Sequence, residues 1–338
     1  MVDSTSTVRS TRTRLLLLVA LVLLGWEAWR VLTPGPALRE SPVVVTVPAN
    51  NGALTIAHQL DQAGVIRSPA AFVALSVARG SFRTLKAGEY EFPRGASTPD
   101  VLALIESGRV RQHPILQPEG ASVAELGRTL EAAGLARAAD VVRAAADPAL
   151  LQAHGLPGPT AEGWLFPDTY HFVRGMTPEQ ILGRMIQRMQ AKLTPELRER
   201  ARERNLSLQE LLTLASIIER EAVRPEERRL ISAVFWNRLR LGMPLQADPT
   251  VQYAVGKERR TLTRADLAFD HPYNTYQRPG LPPGPIASPG LGAIEAALEP
   301  APVKYLYFVK KDDQRHHFSL TIEEHNSAVS RYRLARSR

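Results

Sequence analysis

A glutamate interrupts an aliphatic helix in the stretch LASIIEREA, which begins at residue 214. Ser207 and Glu210 form an S-x-x-E capping box, so the helix is predicted to begin directly after Ser207. At about 3.6 residues per turn from that start, Glu219 lies on the apolar side of the helix. Glu210 and Glu221 fall on the opposite side and are predicted to face water.

Burial among aliphatic side chains would change the acid–base chemistry of Glu219. Loss of hydration destabilises the ionised carboxylate, which raises its pKa and allows it to hold a proton near neutral pH and donate it. Glu219 therefore has the profile of a general acid. The competing interpretation is a buried ion pair with Arg238 or Arg240, which lie on the following predicted helix, because structural ion pairs also perturb pKa values.

The stretch HPYNTY offers polar groups for binding carbohydrate. Asn274, Thr275 and Tyr276 supply an amide, a hydroxyl and a phenol in a predicted turn. These groups suit hydrogen bonds to sugar hydroxyls and N-acetyl groups, and the phenol ring suits stacking on a sugar. The alternative is a turn in which Asn274 satisfies its own backbone, as asparagine often does.

Two other distinctive stretches carry polar candidates. Gln246 and Asp248 belong to MPLQADPTVQYA, where Gln246 is a candidate substrate contact and Asp248 is predicted to cap the helix that follows. Glu162 and Asp168 belong to AEGWLFPDTYHF. Either of them is a candidate to contact the substrate or orient Glu219, with capping of a helix or turn as the alternative.

No metal, cofactor or thiol chemistry is predicted. The chain contains no cysteine, which excludes disulfides, thiolate metal sites and a cysteine nucleophile. His316 and His317 are adjacent in a predicted strand and so point to opposite faces. Neither these residues nor His325 belong to an H-E-x-x-H pattern.

Composition places the chain among globular proteins with a basic surface. Of its 338 residues, 44% are hydrophobic and 22% are charged, and the formal net charge is +8 with a pI near 10.0. A net charge of this size serves solubility first. No helix-turn-helix, zinc-finger or RNP-like aromatic motif accompanies it, so no nucleic-acid partner is predicted.

The N-terminus has the pattern of a membrane anchor. Arg9, Arg12 and Arg14 precede an aliphatic run that Trp26 and Trp29 close, as in a spanning helix with a basic flank and an aromatic belt. The predicted span is residues 15–32, with residues 1–14 in the cytoplasm and the rest of the chain on the far side of the cell membrane. A cleaved signal peptide and a soluble helix are the alternatives.

An α+β fold with two folded parts is predicted after the span. Residues 33–42 contain three prolines and are predicted to be a linker. Residues 43–110 have the pattern of a strand, two helices, a strand and a helix, which indicates a small α+β subdomain. Residues 111–338 are predicted to form a larger α+β domain, which carries the stretches described above and is where catalysis is expected.

Five ordered motifs resemble, in order and spacing, those of the endolytic murein transglycosylase family, also called YceG-like. They are AEGWLFPDTYHF, LASIIEREA, MPLQADPTVQYA, HPYNTYQRPGLPPGPIASPG and YLYFVKKDDQRHHFSLTIEEHNSAV. The resemblance covers nearly the whole chain, and the small subdomain looks like the family's LysM-like subdomain. It implies a membrane-anchored lytic transglycosylase acting on nascent peptidoglycan strands, with peptidoglycan synthases as partners. The catalytic glutamate of the family motif falls on Glu219.

The implied chemistry suits a single carboxylate. Most glycosidases need two carboxyl groups, whereas in a lytic transglycosylase the 6-hydroxyl of N-acetylmuramic acid (MurNAc) attacks the anomeric carbon. One glutamate protonates the leaving oxygen and accepts the hydroxyl proton, which yields a 1,6-anhydro end.

Two other functions compete with the lytic transglycosylase. One is a non-catalytic peptidoglycan-binding or scaffold protein with a structural Glu219, and the other is a hydrolytic muramidase with Glu162 or Asp168 as its second carboxylate.

Overall fold

The computed structural model describes residues 4–257 and 259–336. They fold into two compact units. One unit runs up to His113 and includes Val173–Gly175, and the other comprises Pro114–Phe172 and the chain from Met176 onward. Helices alternate with small two-stranded sheets along the chain, so the fold mixes helix and sheet as the sequence predicts.

An apolar helix opens the first unit. Helix α1 (Ser4–Leu32) contains a stretch of 19 residues, Arg14–Leu32, that is long and apolar enough to cross a membrane. None of the apolar window within it is buried inside the protein. Glu27 and Arg30, which a span must place at its outer end, form an ion pair of 2.8 Å. Their pairing reduces the cost of carrying charge near an apolar boundary.

The rest of the first unit has the predicted order of strand, two helices, strand and helix. Strand β1 (Val43–Val47) pairs antiparallel with β2 (Gly88–Phe92), and Val43 lies opposite Phe92. Three helices complete the unit: α2 (Ala53–Gln62), α3 (Pro69–Ala78) and α4 (Thr98–Ser107). The mixed helix and strand pattern of this region is confirmed, and its likeness to a LysM subdomain stays a prediction.

The second unit is mainly helical. Its helices are α5 (Val123–Ala132), α6 (Ala138–Ala145), α7 (Pro148–Ala153), α8 (Pro178–Lys192), α9 (Pro195–Glu203), α10 (Leu208–Glu221), α11 (Arg228–Arg240), α12 (Asp248–Ala254), α13 (Arg264–Leu267), α14 (Leu291–Leu298) and α15 (Ile322–Arg336). Strands β3 (Gln112–Leu116) and β4 (Thr169–Val173), most of whose residues belong to this unit, form one small sheet, and β5 (Tyr307–Lys310) and β6 (His316–Ser319) form another.

Helix α10 is the central element of the second unit. It begins where the capping box predicts, because Ser207 Oγ accepts a hydrogen bond from the Glu210 N–H at 3.2 Å and Glu210 Oε2 accepts one from the Ser207 N–H at 2.8 Å. Every residue from Leu211 to Ile218 is buried, since α10 packs against α11, α12 and α14. A helix covered on several sides needs apolar residues all round.

The β5–β6 hairpin supports one side of the functional site. Lys310 lies opposite His316 in its antiparallel register, and directly opposed side chains share one face of a sheet. The predicted strand at His316 is confirmed. Helix α15 follows the hairpin, and Thr321 Oγ1 accepts a hydrogen bond from the Glu324 N–H at 3.2 Å at its start.

Candidate active site

A cavity of about 760 Å³ opens beside the last turn of α10. This volume lies in the range of small-molecule and substrate sites. Its wall is assembled from α10, α11, the start of α12, the turn around residue 276 and the β5–β6 hairpin. The polar residues on which its chemistry rests are Glu221, Arg238, Gln246, Asp248, Tyr276 and Lys310.

Glu221 lines this cavity. The prediction that Glu221 is a solvent-facing surface residue is therefore wrong. The residue is half-buried. Burial and the nearby Asp248 carboxylate raise the pKa of Glu221 to about 8, against the opposing effects of Lys310 and Arg220. A carboxylate in the last turn of a helix also faces the negative end of the helix dipole. The helical register predicted the direction of the side chain correctly but not the elements that fold over it.

Glu219 forms a buried ion pair. Arg228 Nη2 donates to Glu219 Oε1 at 2.9 Å, and the backbone N–H of Gly290 donates to Oε2 at 3.0 Å. The Glu219 side chain is 5% exposed and that of Arg228 is 17% exposed. Burial raises the pKa of Glu219, the Arg228 charge and the Gly290 hydrogen bond oppose the rise, and the neighbouring Glu119 carboxylate adds to it.

The partner of Glu219 differs from the two arginines predicted from sequence. Arg228 is the first residue of α11 and lies beside the end of α10, whereas Arg238 is ten residues, or about 15 Å of helix, further along. Arg238 instead donates to backbone carbonyls, and Arg240 donates to the Asn237 side chain. Arg228 also donates to Glu119 Oε2 at 2.9 Å, so two carboxylates share one guanidinium.

Asp248 and Tyr276 form a hydrogen-bonded pair on the cavity wall. The Tyr276 hydroxyl donates to Asp248 Oδ1 at 2.5 Å. Burial raises the pKa of Tyr276, and the bond to Asp248 raises it further. The prediction that Asp248 caps α12 is wrong, because Ala247 occupies the N-cap position and Asp248 is the first helical residue. Its carboxylate is oriented by the phenol rather than by backbone N–H groups.

Asn274 and Thr275 build the turn that presents Tyr276. They are 0% and 2% exposed. Asn274 Nδ2 donates to the carbonyl of Phe269 at 2.7 Å, and its Oδ1 accepts from the Tyr276 N–H at 3.0 Å. Thr275 Oγ1 accepts from the Ala247 N–H at 3.0 Å. Both residues therefore have the turn-forming role that the sequence left open, and Tyr276 is the member of the predicted triplet that lines the cavity.

Glu162 and Asp168 lie elsewhere in the second unit. Glu162 is 3% exposed, and its carboxylate accepts the N–H of Val123 at the start of α5. Burial raises the pKa of Glu162 to about 8, against the effect of these backbone hydrogen bonds. Asp168 accepts from the Thr169 N–H at 2.8 Å and from Arg188 Nε at 2.9 Å. Partial burial opposes these bonds, yet they hold the pKa of Asp168 below its ordinary value. Glu162 therefore binds the start of α5, and Asp168 pairs with Arg188. Contacts of this kind were the predicted alternative to substrate binding for both residues.

The histidines form no cluster with other ligands within residues 4–257 and 259–336, where no three His, Asp or Glu side chains are grouped to hold a metal ion. His316 Nδ1 lies 2.7 Å from Glu227 Oε2, and the His316 backbone N–H donates to Glu227 Oε1 at 2.9 Å. The imidazole is thus held by a structural carboxylate.

Sequence reasoning missed Glu221 and Lys310, which line the cavity, and Arg228, which pairs with Glu219. The spacing of Glu221 two residues after Glu219 was visible, but that spacing points the two carboxylates to different sides of the helix. Arg228 and Lys310 stand in stretches where no local pattern separates them from other cations. Only packing between distant segments brings them to the end of α10.

Comparison with known proteins gives a consistent result. The model of the YceG-like family matches residues 45–331. A protein of Bacillus subtilis named endolytic murein transglycosylase is 32% identical over 309 residues, which cover 87% of this chain and 85% of the relative. A Streptococcus pneumoniae protein of the same name is 31% identical over 333 residues, 89% of this chain and 60% of the relative. A crystal structure of a YceG-like protein from Listeria monocytogenes superposes with a TM-score of 0.60 at 32% identity, over 85% of this chain and 99% of that one.

Proposed function

Because this chain belongs to the YceG-like family, we propose that it is an endolytic lytic transglycosylase that cleaves the bond between MurNAc and N-acetylglucosamine in peptidoglycan strands. The names of its relatives support the substrate class. The observation that carries the proposal is the half-buried carboxyl of Glu221 in a cavity of substrate size, with its pKa raised to about 8. Such a group is protonated at neutral pH and is able to donate that proton.

The reaction uses one carboxyl group twice. In the first step the Glu221 carboxyl gives its proton to the glycosidic oxygen, and the bond from that oxygen to C1 of MurNAc breaks. In the second step the 6-hydroxyl oxygen of the same sugar bonds to C1 and its proton passes to the Glu221 carboxylate, which restores the acid. The products are a free 4-hydroxyl on N-acetylglucosamine and a 1,6-anhydro-MurNAc end, with no water consumed.

The resemblance to the family motif implies Glu219 as the acid, and the contacts of the two glutamates lead us to propose Glu221 instead. Glu219 has its oxygens bound by Arg228 and Gly290, and an acid that must donate to a substrate needs access to it. Glu221 lines the cavity together with Tyr276 and Gln246. We assign the acid and base to Glu221, and Glu219 to holding the end of α10 against the start of α11.

A hydrolytic muramidase is the second candidate, and one contact favours it. Asp248 shares the cavity with Glu221 and acts on its pKa, so the cavity holds the second carboxyl group that a hydrolytic mechanism requires. This role replaces the one that the sequence offered to Glu162 or Asp168. The bond of Asp248 to the Tyr276 hydroxyl instead suits a carboxylate that orients a phenol.

Product analysis tests the reaction. We expect the full-length chain in mild detergent to convert purified peptidoglycan to strands that end in 1,6-anhydro-MurNAc, which is about 18 Da lighter than a hydrolysed end because no water is added. Mass spectrometry of the new ends measures this. Reducing MurNAc ends would establish the muramidase instead, and no new ends alongside intact binding would favour the scaffold protein.

We further propose that α1 anchors the chain in the cell membrane with its arginines in the cytoplasm and residues 33–338 on the periplasmic side. The apolar stretch Arg14–Leu32 and the three arginines at or before its start support this orientation. In that place the enzyme would meet strands as peptidoglycan synthases extrude them. We expect the intact chain in the membrane fraction, with the large unit digested by protease added to spheroplasts. A soluble chain that lacks residues 1–32 would instead indicate a cleaved signal peptide.

A further inference from the structure

We propose that Arg238 orients the side-chain amide of Gln246 so that Gln246 recognises the 2-acetamido group of the substrate sugar. This inference rests on the proposed function, since it concerns the specificity of the same cavity. It makes Gln246 a specificity-determining residue and Arg238 a positioning residue. Three features of the structure support it: the fixed guanidinium, the direction in which that guanidinium turns the amide, and the backbone conformation of Gln246.

Arg238 is held in place by backbone carbonyls from two segments. Its Nε donates to the carbonyl of Leu306 at 2.7 Å, and its Nη1 donates to that of Leu245 at 2.9 Å. The residue is 7% exposed, and its guanidinium lies over the ring of Tyr307 at 5.2 Å. A planar guanidinium held by several acceptors has little freedom to turn, which makes it a rigid reference point for its neighbours.

The contact between Arg238 and Gln246 determines which way the amide points. Arg238 Nη1 lies 3.2 Å from Gln246 Oε1. Arginine has only donors, so the amide oxygen and not the amide nitrogen must face it. The NH₂ group of Gln246 is therefore directed away from Arg238, and the exposed side chain lines the cavity. The bond to Arg238 thus orients a pair of N–H donors on the cavity wall.

The backbone of Gln246 is also held in an uncommon conformation. Its φ is +52°, in the left-handed region that residues other than glycine seldom adopt. The N–H of Gln246 donates to the Thr275 carbonyl at 3.0 Å, and the following N–H, of Ala247, donates to Thr275 Oγ1 at 3.0 Å. A conformation of this kind persists where surrounding contacts enforce it, and such positions cluster at ligand sites.

A fixed N–H donor selects for an acetamido group. A sugar hydroxyl can donate or accept, so it can adapt to either end of an amide. The acetamido carbonyl accepts only, and a site that offers it a fixed donor rejects an analogue that lacks the carbonyl. Removal of the acetyl group leaves an ammonium, which would direct its own N–H groups at those of Gln246.

The test compares N-acetylated and chemically de-N-acetylated glycan strands as substrates of the full-length protein in detergent. We expect the wild type to prefer acetylated strands in kcat/KM, and Gln246→Glu to lower that preference by about 10- to 100-fold. The variant keeps an acceptor for Arg238 and loses both donors. Its melting temperature should therefore be retained while its specificity changes, which a purely structural role for Gln246 does not predict.

Controls separate charge and folding from recognition. Gln152→Glu adds the same charge at an exposed position of α7 and should leave the substrate ratio unchanged. Gln246→Ala removes the amide without adding charge and should also lower the preference. Arg238→Lys should lower it as well, because a lysine cannot hold the amide oxygen through the same fork.

The outcomes separate this inference from the proposed reaction. If both Gln246 variants cleave glycan strands and keep the wild-type ratio of kcat/KM for acetylated over de-N-acetylated strands, the inference is overturned and the proposed reaction is unaffected. If the wild type makes no new ends, the reaction fails. Calorimetric binding of the two strand types to wild type and Gln246→Glu then still reports whether Gln246 reads the acetamido group.

Discussion

Glu221→Gln is expected to reduce the formation of new glycan ends by about 10²- to 10⁴-fold, the range that a positioned general acid contributes. Glutamine keeps the size of the side chain and has no proton to give to the leaving oxygen. The urea midpoint of unfolding should stay the same or rise, because burial already favours the neutral form of Glu221. End-group mass spectrometry measures the rate, and the full-length chain in detergent is the sample.

The same assignment predicts the pH dependence of the wild type. Glu221 must be protonated to act, and its pKa is raised to about 8. The acid form therefore predominates below that pH, and kcat/KM should fall about tenfold per pH unit above it. A carboxyl with an ordinary pKa would lose its proton near pH 4.5 and give the highest activity in acid.

Glu219→Gln is the matched control, two residues away on the same helix. It removes a charge from a side chain that is bound to Arg228 and Gly290, so the main expected change is a lower urea midpoint, with cleavage retained to within about tenfold of wild type. The opposite pattern, with cleavage abolished in Glu219→Gln and retained in Glu221→Gln, would return the acid to Glu219 as the family motif predicts.

Arg228→Met is expected to destabilise the second unit by about 3 kcal/mol, the lower end of the range for breaking a buried ion pair. The substitution leaves the Glu219 carboxylate 5% exposed in a site that has lost its cation, and Glu119 loses the same partner. Urea unfolding measures the loss. It should shrink as the pH falls and Glu219 takes up a proton, since the neutral carboxyl no longer needs the cation.

Two further variants separate this ion pair from a general effect of losing an arginine. Arg229→Met makes the same substitution at the next residue, where the side chain is 58% exposed and lies 3.8 Å from Glu299, and should cost less than about 1 kcal/mol. Adding Glu219→Gln to Arg228→Met should recover part of the loss, because no uncompensated charge then remains. A loss of under about 1 kcal/mol in Arg228→Met itself would mean that the pair behaves as a surface contact.

The turn motif shows how a correct local prediction can leave function open. HPYNTY was predicted to form a turn with Asn274, Thr275 and Tyr276 as sugar contacts, and the turn is present. Asparagine satisfies its own backbone within a few residues, so the turn is a local property. Which of the three side chains reaches the cavity depends on α12, where Asp248 and Ala247 meet the turn.

Features that depend on neighbours within a few positions of the chain were predictable without the fold. The start of α10 follows from Ser207 and Glu210, the strand at β1 from its β-branched residues, and the apolar character of α1 from composition. Capping hydrogen bonds and side-chain periodicity act over four residues or fewer, so they can be predicted from the sequence without knowledge of the fold. The order of elements in the first unit is predictable for the same reason.

The surroundings of the two carboxylates at the end of α10 depend on tertiary contacts. The helical register separates Glu219 from Glu221 but does not say what covers either side. Arg228 and the Gly290 N–H bind the Glu219 carboxylate, whereas Lys310 and Asp248 line the cavity together with Glu221. These groups come from segments far apart in the chain, and burial, charge and pKa depend on where they meet. The roles that we propose for the two glutamates therefore rest on packing between elements, which the motif that contains them does not describe.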